Sequence, residues 1–126
     1  MLKNIYMDLN DNITKNFKWS EFVSPDGQMK ISEYTFELFY WLQIVRDIID
    51  TPITINSGYR SVYWNEQVGG ALHSYHMKAM AVDIGWDHSE WSLESVANLF
   101  EGFGLNVIMY DNFIHVDIRN LEEDIK

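Results

Sequence analysis

The chain has 126 residues, enough for one domain and too few for two. Nine Lys plus Arg against 19 Asp plus Glu give a formal charge of −10, which argues against partners gripped through phosphates, whether nucleic acid or anionic lipid. With no cysteine, a disulfide scaffold, a thiolate zinc finger and a thiol nucleophile are all excluded, while an apolar share of 47% is enough to bury a core.

Met1 to Asn12 holds one Lys, two Asp and no apolar run, so no secretory signal is read there. Lys18 to Phe22 is expected to form a short helical turn that packs Trp19 and Phe22 inward. Ser24-Pro25-Asp26-Gly27 has the composition of a turn, with Pro presetting φ and Gly free to take φ > 0. The strongest helix runs from Glu33 to Asp50. Ser32 is its N-cap, Glu33 lies in its first turn, and Leu38, Leu42, Val45 and Ile49 recur on one face. Aromatics occupy its other faces, so the helix is expected to be well covered, and Thr51-Pro52 ends it. Its apolar stretch is broken by Gln43, Arg46 and Asp47 and cannot span a bilayer.

Ile53 to Asn56 reads as a short strand, Ser61 to Gln67 as a short helix, and Gly69-Gly70 as a turn. Met80 to Ile84 reads as a strand. Trp91 to Phe100 is an amphipathic helix capped by Ser89 or a neighbour, and Gly102 and Gly104 stop it. Leu105 to Tyr110 and Asn112 to Ile118 read as two strands joined by a tight turn around Asp111. Helices come first and a small antiparallel sheet flanked by them follows, an α+β pattern in a single domain over residues 1–126.

The four histidines are His73, His76, His88 and His115. Asp83 stands inside an apolar strand between Val82 and Ile84, where an unpartnered carboxylate would be costly. His115 is placed the same way in the last strand, between Ile114 and Val116, and alternation puts Phe113, His115 and Asp117 on one face. A lone histidine in such a position is more often a hydrogen-bonded core residue than a ligand. His76, Asp83 and His115 together could instead meet as a three-ligand zinc site with a fourth position open for water.

Asn56-Ser57-Gly58-Tyr59-Arg60-Ser61, then Asn65, then Val68-Gly69-Gly70-Ala71, then Ser74-x-His76-x-x-Ala79-x-Ala81-x-Asp83, and last His115-Val116-Asp117, carry a resemblance to a known family. The chain resembles the zinc D-alanyl-D-alanine carboxypeptidase and L-alanyl-D-glutamate endopeptidase family, which cuts the peptide stems of bacterial peptidoglycan and shares its fold with lysostaphin-type peptidases and the hedgehog signalling domain. The resemblance runs from about Phe17 to Arg119. It implies His76, Asp83 and His115 as ligands of one Zn2+ per chain, Arg60 as the arginine facing a substrate carboxylate or carbonyl, and Ser74 as a serine near the substrate backbone. Gly58, Gly69 and Gly70 are read as serving turn geometry. Tyr59, Trp64, Tyr75 and Trp86, near the motif, are read either as core or as the lining of a cleft.

Two positions depart from the family pattern. Ala79 stands where glycine is usual. Asn112 stands three residues before the last ligand, where many members place the general acid or base. An amide cannot take that role, so Asp111 is the candidate base, with His73 and His88 further off and Asp117 as a group steering an imidazole.

The resemblance implies zinc-dependent hydrolysis of peptidoglycan stem peptides, either as a DD-carboxypeptidase or as an L-Ala-D-Glu endopeptidase. The alternative is a non-catalytic phage structural, tail or wall-binding module of the same fold that has lost its base. Size and the missing signal resemble phage-encoded lysins. The protein would then be made in the cytoplasm and act at the wall after release or as part of a virion, alongside other virion proteins, with no nucleic-acid or membrane partner.

Overall fold

The computed structural model describes residues 8–87 and 90–121. His88, the Ser89 cap and most of Met1 to Asn12 lie outside them. Strands β1 (Asn12–Thr14) and β2 (Phe17–Lys18) form a hairpin, followed by a 3-10 turn over Trp19–Glu21. Then come α1 (Glu33–Ile49), β3 (Thr54–Ser57), α2 (Val62–Gln67), a second 3-10 turn (Tyr75–Lys78), β4 (Ala81–Gly85), α3 (Leu93–Gly102), β5 (Asn106–Met109) and β6 (Phe113–Asp117). The four later strands make one antiparallel sheet in the order β3-β4-β6-β5. This is the expected α+β arrangement.

Helix α1 forms where its apolar spacing requires, and Leu38, Leu42, Val45 and Ile49 are all buried. At its start the Ser32 N–H donates to Thr35 Oγ1 (3.0 Å). At its end Asp50 takes the left-handed conformation (φ 48°) and donates its N–H to the Arg46 carbonyl. Aromatic cover of the remaining faces is only partial. Phe39 is buried against Phe17 and Phe22, whereas Phe36 and Tyr40 are half exposed. Helix α3 buries Val96, Ala97 and Phe100 and is capped by Ser92, whose hydroxyl accepts the Ser95 N–H at 3.1 Å.

The β1–β2 hairpin has no counterpart in the sequence reading. Gln43 of α1 holds it: its Oε1 accepts from Thr14 Oγ1 (2.8 Å) and the Asn16 N–H (2.9 Å), and its Nε2 donates to Asn16 Oδ1 (2.7 Å).

Register decides what each sheet face carries. Val82 pairs with Val116 and Ile84 with Ile114, and these four join the buried core together with Leu38, Leu42 and Phe100. The alternate residues pair as Asp83 with His115 and Ala81 with Asp117, so the polar side chains leave from the opposite face.

Candidate metal centre

Asp83 and His115 face one another across β4 and β6, and His76 approaches from the 3-10 turn between α2 and β4. One ligating atom from each of the three lies within 4.8 Å of the other two. All three residues are buried.

The outer nitrogen of each imidazole is engaged by a group that can only accept. His76 Nδ1 lies 2.7 Å from the Gly58 carbonyl oxygen, and His115 Nε2 lies 2.6 Å from Asp117 Oδ2. A carbonyl or carboxylate partner assigns the proton to that nitrogen. The inner nitrogens, His76 Nε2 and His115 Nδ1, then point at Asp83 Oδ1 from 3.1 and 3.2 Å. Two nitrogen lone pairs and a carboxylate oxygen converging on one buried point repel one another unless a cation or added protons stand between them. Imidazole and carboxylate donors suit a divalent transition metal, zinc among them, so the residues fit such an ion.

Electrostatics follow the same contacts. Burial works against the Asp83 carboxylate, but with protons added to the facing nitrogens, hydrogen bonds from His115 and His76 outweigh it and hold the group well below the usual carboxylate range. Burial also disfavours a charged His115, yet its bonds to Asp117 and Asp83 win and raise its pKa. Asp117 is fully buried and likewise ionised against burial, held by His115 and Arg119. Its oxygens also accept from the Arg119 backbone N–H (2.9 Å), Arg119 Nε (2.9 Å), Arg119 Nη2 (2.7 Å) and Asn106 Nδ2 (3.2 Å). So saturated a carboxylate orients His115 and has no lone pair left over for proton traffic.

Arg60 reaches the centre through Asp83. Its Nη2 donates to Asp83 Oδ2 (3.2 Å), its Nε to Ser57 Oγ (3.2 Å) and its Nη1 to Asn65 Oδ1 (3.4 Å). The Ser74 hydroxyl accepts the His76 N–H at 3.1 Å, capping the turn that carries the ligand. Both residues line a cavity of about 460 Å³ together with His76, Asp83 and His115.

Asp111 does not join them. The Tyr110 N–H donates to the Phe113 carbonyl (3.0 Å), closing a two-residue turn with Asp111 and Asn112 exposed at its tip. Neither tip residue is among those lining the cavity. His73 does line it, as do Tyr75, Ile108, Tyr110 and Phe113. Of the four aromatics read as core or cleft, Tyr75 belongs to the cavity and Tyr59 to the core, Trp64 is half-buried and in neither, and the Trp86 indole donates to the Trp91 carbonyl (2.7 Å). Tyr110 and Phe113, with parallel rings 4.4 Å apart, form a wall that the sequence reading left unassigned. The placement of Phe113 on the His115 face was its one visible signal.

Two of the motif glycines serve close approach and not turn geometry. A Cβ on Gly58 would stand 2.7 Å from the Phe22 backbone, and that tight packing delivers the carbonyl that fixes His76. A Cβ on Gly70 would meet Asn65 Oδ1, the acceptor that helps hold Arg60. Gly69, at φ +69°, does serve a turn. Ala79 takes φ 58°, a left-handed conformation in which glycine would be unstrained.

A small α+β domain presenting two histidines and an aspartate in one open cavity has the form of a metallopeptidase centre. The family model for Peptidase M15 matches residues 10–117, and the chain belongs to that family. Over 45 residues it is 51% identical to the zinc D-Ala-D-Ala carboxypeptidase of Streptomyces albus G. That stretch covers 35% of this chain and 18% of the relative, so the likeness spans a small part of the larger protein.

Proposed function

We propose that this chain is a zinc-dependent peptidase acting on the peptide stems of bacterial peptidoglycan. The observation that carries the reading is the anchoring of His76 Nδ1 on Gly58 and of His115 Nε2 on Asp117, which turns the other two nitrogens and Asp83 Oδ1 toward one point. The relative's zinc and D-Ala-D-Ala specificity support the choice of metal and substrate.

His76, Asp83 and His115 hold the ion in this reading, one per chain. Bound zinc supplies Lewis acidity, polarising a peptide carbonyl and acidifying water. Arg60 donates to Asp83 Oδ2 and helps aim it, and two of its five N–H groups remain for a substrate carboxylate or carbonyl oxygen. The Ser74 hydroxyl hydrogen is free to bond substrate backbone while its oxygen caps the turn. Tyr110 and Phe113 supply an apolar wall for the stem. Proton transfer falls to His73. It lines the cavity and has no hydrogen-bond partner among the described residues, and imidazole is the side chain suited to proton transfer near neutral pH.

Digestion of purified peptidoglycan by metal-replete protein, with mass spectrometry of the products, tests the reading. New amino termini or released D-Ala support it and identify the bond, whether D-Ala-D-Ala or L-Ala-D-Glu. Intact stems favour the second reading, a wall-binding or virion module of the same fold. The exposed placement of Asp111 and Asn112 is the observation on its side.

A further inference from the structure

On the other side of Gly70 from the metal centre lies a second cleft, of about 230 Å³. Val62, Leu72 and Met77 form its apolar walls. Val62 and Leu72 are 65% and 81% exposed, an uncommon degree of exposure for apolar side chains with no partner. Glu66 stands four residues after Val62 on α2, hence on the same helix face, and brings the cleft's one charged side chain. Its carboxylate has no hydrogen bond or ion pair among the described residues.

Gly70 lines both cavities, so they meet over a ridge of bare backbone. The paired Arg60 and Asp83 lie on the metal side, and the unpaired Glu66 on the far side. A ligand spanning the ridge therefore meets the metal centre at one end and, at the other, an apolar cleft that carries one carboxylate. A side chain with a long aliphatic shaft and a terminal ammonium complements that cleft, its methylenes lying on Val62, Leu72 and Met77 and its nitrogen on Glu66.

We propose that the α2 cleft is a specificity subsite for the side chain of a diamino acid, lysine or a relative of it, in the stem peptide whose backbone crosses Gly70. The proposal rests on the peptidoglycan reading and names the substrate residue that the protein selects. The Glu66 contact is solvent-accessible, so its contribution is modest and shows as affinity, not as turnover number.

The test uses the zinc-loaded full chain and three stem tetrapeptides that differ at one position: lysine, Nε-acetyl-lysine or norleucine. Binding is followed by calorimetry and cleavage by chromatography. Wild type should bind the lysine peptide about three- to fivefold more tightly than either analogue, and Glu66→Gln should abolish that preference while leaving the norleucine affinity unchanged. Leu72→Ser should weaken all three. Equal affinities in wild type, or a preference that survives Glu66→Gln, overturns the subsite. Wild type that neither binds nor cuts any of the three overturns the peptidoglycan reading, and the subsite with it.

Discussion

Asp117 Oδ2 lies 2.6 Å from His115 Nε2, and this contact decides which nitrogen of His115 faces Asp83. Asp117 is itself clamped by Arg119, whose guanidinium rests on the Tyr75 ring at 4.3 Å. The imidazole is thus steered by a chain of contacts reaching back to the cavity wall. Asp117→Asn keeps the shape but weakens the carboxylate's hold. Zinc affinity should fall about 10- to 100-fold, measured by competition with a chromophoric chelator. Unchanged affinity would show that His115 is positioned by packing alone.

Removing a ligand has a different signature. His76→Ala and His115→Ala should each lose stoichiometric zinc by elemental analysis. Binding free energy adds to folding free energy, so chelation should lower the melting temperature of wild type and leave both variants where they are. A wild type that shows no shift on chelation and no uptake on titration would remove the metal centre.

The family pattern sets Arg60 facing a substrate carboxylate or carbonyl, and its contacts ask more of it. The Arg60–Asp83 pair is largely buried, with side chains 16% and 11% exposed. Arg60→Ala leaves Asp83 without its outer partner, which should cost the metal-free protein about 1–3 kcal/mol. A bound divalent ion supplies the missing positive charge, so the loss should shrink when zinc is added. Thermal unfolding with and without zinc reads both effects. Equal destabilisation in the two conditions would show that Arg60 acts through Ser57 and Asn65, not through Asp83.

Asp83 and His115 were legible because they interrupt apolar strands, and alternation put them on the face opposite the core, whereas His76 was legible through the family motif. The motif glycines and Arg60 were visible as residues but not as contacts. Arg60 meets Asp83 across 23 positions of chain, and Gly58 meets His76 across 18. The β1–β2 hairpin escaped notice because Asn12 to Lys18 has no alternation of its own. It is held by Gln43, which the sequence showed only as a break in an apolar run. The exposed position of Asp111 was hidden for a similar reason: the closure of its turn depends on a backbone bond that composition does not announce.

Asp26 gives a pH dependence away from the metal centre. The Ser61 hydroxyl donates to Asp26 Oδ2 at 2.5 Å, and Ser61 also caps α2 by accepting the Trp64 N–H. The bond from Ser61, helped by Ser24 and Gln28, holds the Asp26 carboxyl below its ordinary value of 3.8. A folded pKa below the unfolded one stabilises the fold above that value, and the contribution disappears as pH falls through the folded pKa. Urea unfolding at about pH 6 and about pH 3 should show wild type losing more stability than Asp26→Asn between the two. Equal losses would mean that the carboxylate contributes nothing through its charge.

The proton carrier is the last expectation, and the cavity narrows it by elimination. Asp83 is the only carboxylate lining it among the described residues, and that group is committed to the metal site and Arg60. Asp117 is saturated, Asn112 is an amide, and Asp111 is exposed at the tip of a closed turn. Tyr110 lines the wall, stacked on Phe113. His73 remains, three residues before His76 and on the same cavity. His73→Gln should lower kcat on a stem peptide by about 100-fold or more, with KM and zinc content little changed. Asp111→Asn should keep the full rate. An active His73→Gln with an inactive Asp111→Asn would return the role to Asp111 and require the β5–β6 turn to open in the substrate complex.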